Sequence, residues 1–195
     1  QKSKSVYESI FTYELHDRDV NLENINKTFD EIKDKININD AFVLYIAGHG
    51  VSKDSIYHFI PYDQAEKISI HEIKTNLSKL ENNKSLVLLD TCQSGAAIDS
   101  MVDEITTVNR LSHDDNRNYI VASSKNQVAL EGYKDHGVFT YGVLDAFINN
   151  DKLKVWGLAD HISEIVPRIT QEKFHFSQTP QAKLNQNFIL TGEKK

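Results

Sequence analysis

Asp90-Thr91-Cys92-Gln93-Ser94-Gly95 holds the only cysteine of the chain and follows the apolar run Leu86-Val87-Leu88-Leu89. A thiol set where a buried strand runs out into a glycine-containing loop lies at the carboxyl edge of a sheet, where open α/β folds carry their chemistry. The run Ala41 to Ala47 ends the same way, in Gly48-His49-Gly50. Two strands therefore deliver a sulfur and an imidazole to one edge, the least that a cysteine nucleophile and its base require. The thiolate is the reactive form, so an imidazole that takes the proton governs reactivity. Gly50, beside the base, can turn its N–H toward a developing oxyanion without a Cβ in the way, and with the N–H of Cys92 it makes a two-donor oxyanion hole. Taken singly, a cysteine is more often a small buried hydrophobe and a histidine a loop residue. The joint pattern reverses that preference.

The elements that must position these groups follow from periodicity. Val6 to Leu15 reads as a strand. From Leu22 the apolar positions Leu22, Ile25, Phe29, Ile32 and Ile36 recur at three and four and predict a helix with one apolar stripe. With the strand Ala41–Ala47 this makes a βαβ unit of a parallel sheet. Ser52 to Tyr62 reads as a short strand pair or loop, stopped by Pro61. Ser69-Ile70-His71-Glu72 is a capping box that opens a helix through Ile73, Leu77 and Leu80. Ser85–Leu89 and Tyr119–Ser123 are the next strands. Helices are expected over Val138–Ile148 and Gly157–Ile169, the second disturbed by Pro167, and a last strand over Asn187–Leu190. Between them, about 93–118 has no sustained periodicity, the mark of a functional or disordered loop. The whole of 1–195 reads as a single domain.

Composition narrows the classes. The chain has 195 residues, 39% of them hydrophobic and 26% charged, with a net charge of -6. That balance and the lack of a basic run exclude a phosphate-backbone partner, so no nucleic acid is expected. One cysteine forms no internal disulfide and no cysteine-rich zinc site, and the eight histidines show no ligand spacing, so no metal is expected. Apolar stretches of about seven residues fall far short of the roughly 18 of a membrane span. The opening Gln1-Lys2-Ser3-Lys4 has neither an initiator Met nor an apolar signal core. The expectation is a cytoplasmic protein, cut from something longer.

With those two motifs in place, the sequence resembles the caspase and metacaspase superfamily of cysteine peptidases. The caspase signature puts its histidine about 50 residues before the cysteine, close to the spacing of His49 and Cys92. Further stretches are similar to bacterial caspase-like domains, some of which follow WD40 repeats: Tyr57-His58-Phe59-Ile60-Pro61-Tyr62-Asp63, Gln127-Val128-Ala129-Leu130-Glu131, His136-Gly137-Val138-Phe139-Thr140-Tyr141 and Gln178-Thr179-Pro180-Gln181. The resemblance runs from about Val6 to Leu190. It implies an α/β caspase-like three-layer sandwich, a mostly parallel central sheet with helices on both faces. It also implies that the family's N-terminal strand and first helix are absent from this chain, and that a missing N-terminal segment or a partner chain completes the sheet, since a lost strand exposes ladder edges.

The same resemblance assigns the specificity. Animal caspases place a glutamine two residues before the cysteine, in a pocket selecting aspartate. Asp90 stands there, as in metacaspases, and a buried acid attracts Arg or Lys and repels Asp. The competing reading has Asp90 capping the following turn or helix. Ser123 either lines the substrate groove or is a plain strand-end hydroxyl. Glu131 either adds negative charge near the pocket or, the preferred reading, is a solvated loop carboxylate; the remaining histidines read as surface or core residues, and Phe139, Val143 and Phe147 as packing. Arg110 and Arg117, the only basic residues between Gln93 and Asn118, are the candidate self-cleavage sites. The expected partner is a protein or peptide substrate. No cofactor is expected. Some metacaspases need calcium, and Asp99 and Asp103 alone do not make a site. Other nucleophile classes fit worse: a cysteine phosphatase needs an arginine where Ile98 stands, and a nucleophile elbow needs glycine at Asp90. A caspase-like scaffold or regulatory module without turnover remains the alternative.

Overall fold

Three aliphatic runs form the parallel centre of a sheet, and the rest of the chain is arranged to cover them. The computed structural model describes residues 6–54, 56–62, 66–92, 116–124 and 127–192. Its elements are α1 (Leu22–Lys33), β1 (Ala41–Lys53), β2 (Ile56–Ile60), β3 (Ile68–Ser69), α2 (Ile70–Ser78), β4 (Lys84–Thr91), β5 (Asn118–Val121), α3 (Val138–Asn149), α4 (Val155–Phe174) and β6 (Gln181–Lys183). They form one six-stranded sheet in the order β3-β2-β1-β4-β5-β6. β1, β4 and β5 are parallel, and β2, β3 and β6 join antiparallel at the flanks. This is the expected α/β sandwich, with a parallel centre in a mixed sheet.

Residue alternation along β4 divides the core into two layers. Val87 and Leu89 pack with Phe29 of α1 and with Ile70, Ile73 and Leu77 of α2. Leu86 and Leu88 pack with Val138, Phe139, Val143 and Ala146 of α3 and with Leu158, Ile162 and Val166 of α4. Each fully buried aliphatic side chain of this kind contributes about 1.5–3 kcal/mol. Local signals set the helix starts. The Asn21 side-chain Oδ1 accepts from the Asn24 N–H at 2.9 Å, and the capping box is complete, Glu72 N–H to Ser69 Oγ at 3.3 Å and Ser69 N–H to Glu72 Oε2 at 2.7 Å.

Four expectations are corrected. Val6–Leu15 is not a strand. It is held by side chains, Tyr7 Oη donating to the Ile189 carbonyl at 2.5 Å and Lys35 Nζ to Tyr13 Oη at 3.0 Å, and it forms no backbone ladder. β1 does not end at Ala47: it continues through Gly48-His49-Gly50 to Lys53, paired with β4 over Ala41–Gly48 and with β2 over His49–Lys53. The last strand is Gln181–Lys183 beside β5, and Asn187–Leu190 makes only the isolated bridge Lys154↔Ile189. Finally, α4 runs through Pro167 to Phe174, with Pro167 inside it. The expected loop after Cys92 falls on residues 93–115, outside the described residues.

The pairing of β1 leaves one edge open. On the side away from β4, Ala41–Gly48 meets no strand among the described residues. Val43 and Tyr45 are accordingly 47% and 44% exposed, although β1 is an interior member of the sheet order.

Candidate active site

Leu86 and Leu88 face α3 and α4, so alternation carries Asp90 and then Cys92 to that same side. Thr91 points the other way, into the layer that holds Tyr57, and its hydroxyl bonds the Tyr57 phenol. On the neighbouring strand Ala47 pairs with Asp90 and Gly48 with Thr91. His49 and Cys92 are the next residues along two parallel strands. The β1–β4 ladder ends at Gly48↔Thr91; one step beyond it, alternation turns His49 and Cys92 toward the α3 face, while His49 itself pairs with Ile60 of β2.

The side chains have not closed onto each other. Half-buried Cys92 aims its thiol at the Ala129 carbonyl, 4.0 Å away. His49 is exposed, and no hydrogen bond joins it to Cys92. In unliganded enzymes catalytic hydrogen bonds are often long and tighten only with substrate. Gly50 fits its expected place closely: a Cβ built there would stand 2.8 Å from the Cys92 carbonyl oxygen. Only glycine lets β1 approach the nucleophile's backbone in this way.

Asp90 acts as a cap, but not for the turn or helix that follows it. Its Oδ2 accepts from the Thr140 N–H at 3.2 Å and from the Thr140 hydroxyl, and Thr140 Oγ1 bonds Tyr45 Oη at 2.6 Å. The N-terminus of α3, where Gly137 offers no side-chain cap, is therefore capped by a carboxylate from β4 rather than by the turn that follows Asp90. The remaining face of Asp90 lines a cleft of about 460 Å³ that also receives Cys92, Glu131, Asp135 and His136. Burial pushes the Asp90 carboxyl above its ordinary value; the two Thr140 bonds pull it down, and the Glu131 charge adds to the rise.

The cleft is more acidic than the sequence reading allowed. Glu131, an exposed loop carboxylate, is one of its walls, as are Asp135, which was not singled out, and His136, read only as a surface or core residue within a stretch that carries the resemblance. Asp135 and His136 lie on a tight turn in which Lys134 and Asp135 adopt φ of 50° and 65° between the bridged residues Tyr133 and His136. Two consecutive left-handed residues without glycine carry no periodic signal, so spacing alone did not bring these groups together. Lys134 holds the turn from outside, 4.9 Å from the centre of the Tyr141 ring and 3.2 Å from its hydroxyl.

Other candidates lie elsewhere. Ser123 is fully buried, absent from the cleft, and donates its hydroxyl to the Gln127 carbonyl at 3.1 Å, which supports the strand-end hydroxyl rather than a groove residue. Arg117 precedes β5 at the opposite edge of the sheet, its guanidinium donating to the carbonyls of Leu77 at 2.6 Å and Leu80 at 3.2 Å, where α2 ends. Arg110, Asp99 and Asp103 lie outside the described residues. His161, read as a surface or core residue, pairs with Asp145 at 2.9 Å. Among the described residues no three His, Cys, Asp or Glu side chains converge as metal ligands. No described helix is long and apolar enough to cross a membrane.

No curated protein matches the sequence. Among solved structures the chain is similar to protein GSU0716 from Geobacter sulfurreducens, with 16% identity and a TM-score of 0.56 over 88% of this chain and 79% of that one, a likeness of fold. Residues 5–188 match the family model of the caspase domain, a span that takes in the parallel strands, the ends bearing His49 and Cys92 and the helices behind the acidic cleft, and the chain therefore belongs to the caspase-domain peptidase family.

Proposed function

We propose that the protein is a cysteine endopeptidase that cleaves after arginine or lysine. The observation that carries this reading is the position of Cys92 on the rim of a cleft walled by Asp90, Glu131 and Asp135, with His49 one residue past the last β1–β4 pair, Gly48↔Thr91. A guanidinium or ammonium entering the cleft pairs with Asp90, which places the following carbonyl over the sulfur. His49 takes the thiol proton as Sγ bonds to the carbonyl carbon, and the oxygen, now negative, is held by the N–H groups of Gly50 and Cys92. Collapse of that intermediate breaks the C–N bond, with the proton passing from His49 to the leaving amine. Water then attacks the thioester, aided by His49, and frees the acid and the thiol.

Peptides ending in Arg, Lys or Asp before a fluorogenic group, assayed with and without calcium, test this directly. The expected outcome is cleavage after Arg and Lys, none after Asp, and none by Cys92→Ala. No cleavage by the wild type under any condition would favour a scaffold without turnover, a reading supported by the thiol's turn toward Ala129 rather than His49. If the enzyme matures by cutting itself, the site is Arg110. Arg117 would first have to leave two carbonyls at the end of α2. Intact-mass comparison of wild type with Cys92→Ala reads which bond is cut.

The open edge of β1 supports a partner for the sheet itself. One further extended segment, from upstream in the same polypeptide or from another chain, would pair the free backbone of Ala41–Gly48 and cover Val43 and Tyr45.

A further inference from the structure

Gly50 explains more than its own N–H. A Cβ at that position would stand 2.6 Å from the hydroxyl of Tyr57 as well as 2.8 Å from the carbonyl oxygen of Cys92. The Tyr57 ring therefore passes across β1 under Gly50, from its own strand β2 to the hydroxyl of Thr91 on β4. Both partners are sealed from solvent, Tyr57 at 2% and Thr91 at 1% exposure. The β1–β4 ladder stops at Gly48↔Thr91, so Cys92 is the first residue beyond it. Among the described residues, the Tyr57–Thr91 bond is the last side-chain tie across the sheet before the nucleophile. Burial pushes the Tyr57 phenol up to about 12, with the Thr91 bond pulling the other way, so the hydroxyl keeps its proton at neutral pH.

We propose that Tyr57 is a positioning residue for the nucleophile: through Thr91 it fixes the Cys92 peptide against Gly50. It thereby sets the spacing of the two N–H groups assigned to the oxyanion and holds the thiol level with His49. This rests on the cysteine peptidase reading for its effect on turnover, but the placement of the thiol can be measured without turnover.

The test uses Tyr57→Phe, Thr91→Val, the double variant and Thr91→Ser, each checked for folding by thermal melting and assayed well below its midpoint. For an arginine peptide, Tyr57→Phe and Thr91→Val should each lower kcat about tenfold, less than the full loss of an oxyanion donor, with KM changed less than about twofold. Because both remove the same bond, the double variant should fall no further than either single one. Thr91→Ser keeps the hydroxyl and should stay within about twofold of wild type. A merely structural bond would lower the melting midpoint and leave kcat untouched. Wild-type kcat in folded Tyr57→Phe, or a double variant equal to the product of the singles, overturns the proposal. Should the wild type cleave no peptide, the peptidase reading fails and iodoacetamide alkylation of Cys92 decides the placement. A rate in Tyr57→Phe and Thr91→Val at least about threefold different from wild type, restored by Thr91→Ser, supports it; equal rates overturn it.

Discussion

At the scale of single residues the account rests on Cys92, His49 and Asp90, all of them legible in the sequence because each lies within three residues of the end of an apolar run. Asp90 carries the sharpest prediction. Burial lifts its carboxyl above the ordinary value, so the folded protein keeps that proton to higher pH than the unfolded chain. Stability from this group is therefore greatest at low pH and is lost as pH rises from the unfolded value through the folded one. Binding of a basic side chain runs the opposite way, because only the carboxylate pairs with it. KM for an arginine peptide should fall as pH rises through a midpoint above the ordinary aspartate value. Asp90→Asn should raise KM about tenfold or more and flatten that dependence. Steady-state kinetics across pH check both; an unchanged KM in Asp90→Asn would remove Asp90 from recognition. Glu131 and His136 lie in stretches that carry the family resemblance, yet nothing in their spacing placed them and Asp135 around one cleft. Their convergence is made by a tight turn of two left-handed residues, whereas an apolar run announces itself.

At the scale of elements, α3 is the piece that ties fold to site. Its N-terminus lacks a local cap and takes one from Asp90 through Thr140. The carboxylate that would read substrate is therefore also a structural part of the helix. Thr140→Val should cost about 1–3 kcal/mol through the lost buried bond, lowering the melting midpoint by a few degrees. It should also alter KM for arginine peptides, since Asp90 loses its anchor. Calorimetry and kinetics on the one variant read both effects, and a lowered midpoint with unaltered KM would separate cap from pocket. Sequence patterns found α1, α2, α3 and α4 well, because stripes and capping boxes are local. They placed His49 in a loop after β1, whereas it lies inside the strand. The run Gly48-His49-Gly50 looks like a stop, yet pairing with β2 carries the ladder on to Lys53. The strand β6, only Gln-Ala-Lys, is set by its neighbour β5 alone.

At the scale of the whole molecule, the sheet is closed by helices on both faces but open along half of β1. The strand expected over Val6–Leu15 does not form: that segment is tied instead by Tyr7 to Ile189 and by Tyr13 to Lys35, and the Ala41–Gly48 edge meets no strand among the described residues. Amide exchange should therefore be fast for the outward-facing N–H groups of Ala41–Gly48 in the 195-residue chain. It should slow by orders of magnitude when a further strand is supplied. Slow exchange along that edge in the chain alone would mean that it is already covered. The central claim is that the sulfur of Cys92 and the imidazole of His49, on adjacent parallel strands, act as one unit, and alkylation of Cys92 by iodoacetamide at pH 7 tests it most directly. Wild type should react at least about tenfold faster than His49→Ala, because the imidazole takes the thiol proton; equal rates in the two proteins would contradict the account.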